Sequence, residues 1–214
     1  MVTLAFREVG QTFGDLTVFS RLSCIIAGGK VTAVTGGNGS GKSTFLRIAA
    51  RLLCPTAGTV ETREAGALLS ALAYQRHLAM VTPEMKLYPR LTARENVSFF
   101  LGLRGLTLQE AAYEALLTRV GLRRTVLLGK GAGALSTGMA QRLKIAVLLG
   151  CEADVWLLDE PGANLDEAGR RMIRAEMKRG AAEGRLVLLA TNDAGEEAEA
   201  DEVIRLGADG AGAS

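Results

Sequence analysis

Apolar and polar residues alternate from Val2 to Val34, broken at Gly14-Asp15 and Gly28-Gly29. A period of two predicts several short antiparallel strands over this stretch. The pattern then shifts. "KVTAVTG" (30–36) reads as a buried strand running into glycine, and a helix should follow from Lys42 to about Leu53, ending near Pro55. Residues 57–82 divide into further strand and helix pieces. From Leu91 to Gly129 the apolar spacing becomes helical, and Thr92-x-x-Glu95 and Thr107-x-x-Glu110 both have the spacing of a capping box. Another helix is expected from near Ser136 to before Gly150. After it come "VWLLDE" (155–160), a helix around 166–180, "RLVLLAT" (185–191), a short acidic helix and "EVIRL" (202–206). Strands alternating with helices imply a parallel sheet with helical cover. The chain therefore reads as one α/β domain over 1–206, with a mostly parallel core sheet, an antiparallel β subdomain and an inserted helical subdomain at about 84–152. "GADGAGAS" (207–214) should be a flexible tail.

Composition narrows the classes. The 214 residues are 48% hydrophobic, enough apolar matter for one well-cored domain, and a formal net charge of +2 argues neither for nor against nucleic acid. Arg119, Arg123, Arg124 and Lys130 come nearest to a basic stripe and read as a solvated face, so no nucleic-acid partner is expected. Cys24, Cys54 and Cys151 are odd in number and far apart in apolar settings, as expected of reduced core or near-core thiols in a cytosolic protein. His77 is the only histidine, which argues against a histidine-based metal site or a Ser-His triad. The N-terminal residues have no secretory pattern. No apolar run approaches the ~18–20 residues that would span a bilayer, so a membrane role would have to pass through a partner.

The chemistry concentrates in three stretches. "GGNGSGKST" (36–44) contains G-x-x-x-x-G-K-[ST], with Gly36, Gly41, Lys42 and Ser43 at the fixed positions, after an expected strand and before an expected helix. Glycines allow the backbone to come close to phosphate, and successive N–H groups at a helix N-terminus form an anion nest. Gly36, Gly37, Asn38, Gly39, Ser40, Gly41, Lys42, Ser43 and Thr44 are thus the candidate nucleotide-binding residues. Lys42 would reach the β- and γ-phosphates, and Ser43 the Mg²⁺. "VWLLDE" supplies acids at the end of a buried strand: Asp159 to hold Mg²⁺ through water and Glu160 to polarise the attacking water. This is a phosphate loop with its Mg²⁺-holding acid, as in P-loop NTPases; the identity of the nucleotide as ATP rests on the resemblance that follows.

"LSTGMAQRLKIAVLLG" (135–150) resembles the signature of ATP-binding-cassette (ABC) ATPases, with Leu135, Ser136 and Gly138 matching and Met139 where glutamine is usual. With the phosphate loop and "LLDEP", the resemblance covers about residues 2–206. It implies a head-to-tail dimer, with a copy or a paralogue, in which Ser136 and Gly138 act in trans on the γ-phosphate bound by the other chain. It also implies that Phe13 stacks on adenine, that Asp166 steadies the dimer interface, and that hydrolysis drives a separate transmembrane permease. The protein would then sit on the cytoplasmic face of the membrane through that partner. "MKLYPRLTARENV" is similar to ATPase subunits of small exporters. Two departures stand out. Pro83 occupies the place of a glutamine that usually contacts Mg²⁺ and water, with Glu84 next to it either as a substitute ligand or as a solvated loop residue. Asn192 follows Thr191 where histidine is usual, keeping an N–H donor without the charge. Because Glu160 and Lys42 are present, Asn192 reads as part of a working catalytic set. The rival readings are a soluble cassette ATPase outside transport and a non-hydrolysing nucleotide-binding regulator.

Overall fold

The structure, a computed structural model, describes residues 1–207 and the backbone of 212–213. The chain divides into two compact units, one comprising 1–80, 154–160 and 177–214, the other 81–153 and 161–176.

In the first unit, β1 (Val2–Phe13) and β2 (Leu16–Ala27) form a long hairpin. The expected series of short strands is therefore two strands of twelve residues. Local register shifts, with Glu8 at a φ of 49°, interrupt the sequence alternation without ending the strand. With β4 (Ala57–Glu64) and β5 (Ala67–Leu68) they make an antiparallel sheet in the order β2-β1-β4-β5.

The second sheet runs β10-β9-β3-β8-β7-β6. Its centre is three strands in which every residue is buried: β3 (Val31–Thr35), β8 (Leu186–Ala190) and β7 (Val155–Asp159). Burial on both faces is why β7 and β8 read as apolar runs, while β3 carries the buried polar residues Thr32 and Thr35. β3 pairs in parallel with β8 and with β9 (Glu202–Arg205), and β7 pairs in parallel with β8. β6 (Leu78–Val81) lies at one edge, and β10 (Gly212–Ala213) pairs antiparallel with β9. The remaining positions of the expected loose tail, apart from Gly207, lie outside the described residues.

Helix α1 (Lys42–Ala49) follows β3 and stops four residues short of the expected end. Arg51 then takes a φ of 59°, reversing the chain before Pro55. Phe45 of α1 stacks on Phe6 at 4.6 Å between centroids and meets Phe19 edge-on at 6.3 Å. Both partners belong to the antiparallel sheet, and all three rings are buried. These contacts fix the helix that follows the phosphate loop. Helix α2 (Ala71–His77) completes the connection to β6.

The second unit is helical: α3 (Ala93–Gly102), α4 (Glu110–Arg119), α5 (Arg124–Leu127) and α6 (Thr137–Gly150), with the first part of α7 (Glu167–Ala182). The expected box at Thr92 and Glu95 forms in both directions. The one at Thr107 does not, because α4 starts at Glu110 with Gln109 as its cap. Buried Asn96 does work that the sequence did not announce. Its amide donates to the carbonyls of Tyr88, Leu91 and Thr92, and its oxygen accepts from the Tyr88 N–H at 2.7 Å, pinning the turn before α3.

Two of the four residues of the expected basic face are neutralised by ion pairs. Arg119 pairs with buried Glu176 at 2.5 Å, and Arg124 pairs with both Glu110 and Glu114. The three cysteines are free thiols. Cys151 is buried and Cys24 half-buried, burial pushing the Cys24 thiol up to about 12. Cys54, expected near the core, is exposed in the turn before Pro55.

Candidate functional site

Parallel pairing brings the candidate residues of the first unit to one edge. Val34 of β3 and Asp159 of β7 both pair with Ala190 of β8. The segments leaving the C-terminal ends of these strands therefore emerge side by side, the position where open parallel sheets bind ligands. β3 leads into the phosphate loop, β7 into Glu160 and β8 into Asn192. The end of β8 is tied to both neighbours, since the Glu160 N–H donates to Ala190 O at 2.9 Å and the Thr191 N–H donates to Val34 O at 3.1 Å.

Two loop glycines are sterically required. Gly41 has a φ of 95°, and a Cβ there would lie 2.3 Å from Val18 Cγ1. At Gly36, with a φ of 149°, it would lie 2.4 Å from Leu206 O and 2.6 Å from Ser40 Oγ. Gly41 is also the N-cap of α1 and provides no side-chain cap, so the first-turn N–H groups keep their donors for a ligand. The Lys42 ammonium donates to Gly36 O at 2.8 Å and to Gly37 O at 3.0 Å, folded back across its own loop. Ser40 Oγ is buried without a hydrogen-bond partner.

An open cleft of about 310 Å³ runs along this edge, lined by Phe13, Val18, Asn38, Gly39, Gly41, Lys42, Ser43, Thr44 and Glu160. Phe13 is 49% exposed on the cleft, where a core residue would be buried. Val18 lines the cleft beside it and escaped the sequence reading, because one valine in an alternating strand looks like any other. Asp159 is 4% exposed, while Glu160 beside it is exposed, in a left-handed conformation with a φ of 47°. Such strain in a non-glycine residue is characteristic of functional positions.

Asn192 completes the edge. Its amide donates to Asn38 Oδ1 at 3.0 Å and reaches Glu160 Oε1 at 3.4 Å. The residues around it are fixed locally. Thr191 is buried and donates its hydroxyl to Glu196 while accepting from the Asp193 N–H at 2.9 Å. Asp193 caps α8 (Ala194–Ala198) through the N–H groups of Gly195 and Glu196.

Ser136, Gly138 and Glu84 belong to the helical unit. Ser136 is exposed at the N-terminus of α6, accepting from the Met139 N–H at 3.2 Å, and the first turn of that helix carries no acid. Gly138 runs close to the loop before α7, where a Cβ would lie 3.1 Å from Asn164 O. The sequence reading missed what ties α6 to that loop: buried Gln141 donates to Pro161 O at 2.9 Å, and Arg142 pairs with Asp166 at 2.8 Å. The Gly169 N–H, and then Arg142, hold the Asp166 carboxyl below its usual range. Glu84 is exposed near Lys144, whose ammonium donates to the carbonyls of Thr82 and Pro83.

Comparison with known proteins agrees with this geometry. The family model for ABC transporters matches residues 19–163. The chain is 36% identical over 209 residues to the "Probable anion import ATP-binding protein" of Haloferax volcanii, covering 89% of this chain and 72% of that one. It is 38% identical over 192 residues to the cytochrome c biogenesis ATP-binding export protein of Bradyrhizobium diazoefficiens, covering 88% and 91%. Against the Fe(3+) ions import ATP-binding protein of Rhizobium etli it is 36% identical over 179 residues and spans only 49% of the longer chain. A solved ATP-binding subunit of an ABC transporter superposes with a TM-score of 0.80 at 26% identity, covering 95% of this chain and 85% of the other. A dimeric bacterial ABC transporter cassette shares the fold with a TM-score of 0.82 at 24% identity, covering 95% and 94%. The chain belongs to the ABC transporter family, among its ATP-binding subunits.

Proposed function

We propose that the chain binds ATP with Mg²⁺ at the β3–β8–β7 edge and hydrolyses it in a dimer with a second cassette, either a copy or a paralogue. That cycle drives a separate transmembrane permease from the cytoplasmic face of the membrane. The observation that carries this reading is the convergence of Lys42, Asp159 and Glu160 on one sheet edge through the shared register with Ala190.

Phosphates fit the uncapped N-terminus of α1 and the two glycines whose space admits no Cβ. Adenine fits the exposed face of Phe13. The Ser43 hydroxyl, and the Asp159 carboxylate through water, would hold Mg²⁺ with the oxygen donors it prefers, and the ion would supply charge neutralisation for the transferring phosphate. Lys42 exchanges the Gly36 and Gly37 carbonyls for phosphate oxygens. Glu160 accepts a proton from the attacking water as its oxygen bonds to the γ-phosphorus and the bond to the β-phosphate oxygen breaks. Asn192 offers a neutral N–H to the γ-phosphoryl oxygens and, through Glu160 Oε1, orients the base. Ser136 and Gly138 serve the ATP of the opposite chain, which the exposed, acid-free N-terminus of α6 supports.

Among the described residues no helix is long and apolar enough to cross a membrane. The transport role itself draws on relatives whose names specify import and export. The decisive experiment is Mg²⁺-dependent phosphate release by the native protein and by Glu160→Gln. Native turnover with a near-silent variant supports the reading, and equal rates sink it. Co-purification of a polytopic membrane protein from detergent extracts tests the transport half.

A further inference from the structure

Away from the nucleotide cleft, His77 sits between two carboxylates contributed by distant parts of the chain. Asp154 Oδ2 lies 2.7 Å from His77 Nδ1, and Glu64 Oε2 lies 3.8 Å from His77 Nε2. One ligand atom from each residue falls within 4.8 Å of the others. Each is held by its own element. Glu64 ends β4 and pairs with Val2 of β1, His77 ends α2, and Asp154 accepts the Leu186 N–H through its backbone at 2.9 Å just before β7. A cavity of about 260 Å³ opens beside Glu64 and Asp154. Its one arginine, Arg185, is ion-paired with Glu183 and lies over the Trp156 ring at 5.1 Å, so its charge is already compensated.

The two sides of the imidazole differ in a way that points to a ligand. The Asp154 distance is a hydrogen bond that fixes the ring, as the outer carboxylate does for a metal-bound histidine. The Glu64 distance is too long for a hydrogen bond. Nitrogen and oxygen ligands each lie about 2.0–2.2 Å from a bound zinc, so an ion can bridge a gap of this size. We propose that His77 Nε2 and the Glu64 carboxylate bind a divalent transition-metal ion, with Asp154 accepting the Nδ1–H and water filling the remaining positions. The imidazole selects the zinc and nickel class over Mg²⁺, which favours oxygen ligands. Partial exposure of all three residues makes the site exchangeable.

Because His77 is the only histidine, one imidazole reports on the site in ¹⁵N-histidine-labelled, nucleotide-free protein titrated with Zn²⁺ alone. The expected result is a saturable change at the Nε2 resonance at one equivalent, with Nδ1 still protonated and excess Mg²⁺ unable to reverse it. Glu64→Gln and Asp154→Asn should each weaken the response about 10–100-fold. Zinc held by exposed Cys54 would leave the imidazole signals unmoved. Unmoved signals at excess Zn²⁺, or equal responses in the carboxylate variants, would reduce the cluster to an ion pair and overturn the site. The native titration decides this even if a variant fails to fold.

Discussion

Asn192 donates to Asn38 Oδ1 at 3.0 Å, joining the loop after β8 to the phosphate loop across the mouth of the cleft. The same amide stands 3.4 Å from Glu160 Oε1, so one neutral group touches both the loop that holds phosphate and the base that would activate the attacking water. An amide keeps the donor but brings no positive charge and exchanges no proton near neutral pH. A neutral hydrogen bond is worth about 0.5–1.5 kcal/mol, against about 1.5–3 for a charged one. Asn192→Ala should therefore cut turnover at saturating ATP roughly three- to tenfold with binding nearly intact. Asn192→His should hold or raise the rate and add a histidine-like limb to its pH profile. Alanine performing as well as asparagine would remove Asn192 from the mechanism.

Glu160→Gln should trap the ATP-bound dimer. Glutamine preserves the size of the side chain but cannot accept the water's proton, so a closed pair has no route to product. Light scattering should give twice the monomer mass with Mg²⁺ and ATP, and the monomer with ADP. Monomer alone at saturating ATP would count against Ser136 and Gly138 acting in trans.

What could be read in the sequence follows from how locally each feature is encoded. The phosphate loop, the acidic strand end and the Thr92 box are short-range patterns in which each residue's role depends on neighbours a few positions away. β7 and β8 announced themselves because burial on both faces leaves them apolar up to Asp159 at the end of β7. The contacts that were missed join distant segments. Val18 reaches the cleft only through the β1–β2 hairpin, Gln141 meets Pro161 twenty residues on, and Asn192 finds Asn38 across 154 positions. The Thr107 box failed because Ser/Thr-x-x-Glu spacing permits a cap without choosing where the helix begins, and α4 begins at Glu110.

Phe13 should act on nucleotide affinity with little effect on stability. It ends β1 with about half its surface exposed, so truncation removes little buried area. If adenine stacks on it, Phe13→Ala should weaken ATP binding by about 1–3 kcal/mol, while Phe13→Tyr stays near native. Fluorescent-nucleotide titration alongside thermal melts separates the two effects. A lower melting temperature with unchanged affinity would make Phe13 a packing residue.

The glycines of the phosphate loop should not be equivalent. Gly37→Ala places its methyl in open space at an ordinary backbone angle and should fold normally. Gly39→Ala also has room, but a φ of 80° imposes strain of about 1–3 kcal/mol. Gly41→Ala carries similar strain and a clash with Val18 as well, so it should be the most damaging of these three. Adding Val18→Ala should recover part of the loss, the remainder being backbone strain. Urea denaturation of these variants checks the order, and Gly41→Ala as stable as Gly37→Ala would contradict the packing between α1 and β2.

The start of α3 should lose stability in acid. The Thr92 backbone N–H, and then its hydroxyl, hold the Glu95 carboxyl below its usual range. A depressed carboxylate contributes stability above its unfolded-state pKa, and that contribution disappears as pH falls through the folded-state value. Glu95→Gln should therefore be less stable than the native protein at neutral pH, with the gap closing in acid as both side chains become neutral. Thr92→Ala removes the other half of the box and should cost about 1 kcal/mol, with most of the loss persisting in acid because the hydroxyl cap does not titrate. Hydrogen exchange at the amides of Glu95 and Asn96, followed through the acid range, isolates this helix end from the rest of the chain. A gap between native protein and Glu95→Gln that stays constant with pH would mean that Glu95 caps α3 through its shape, with no contribution from its charge.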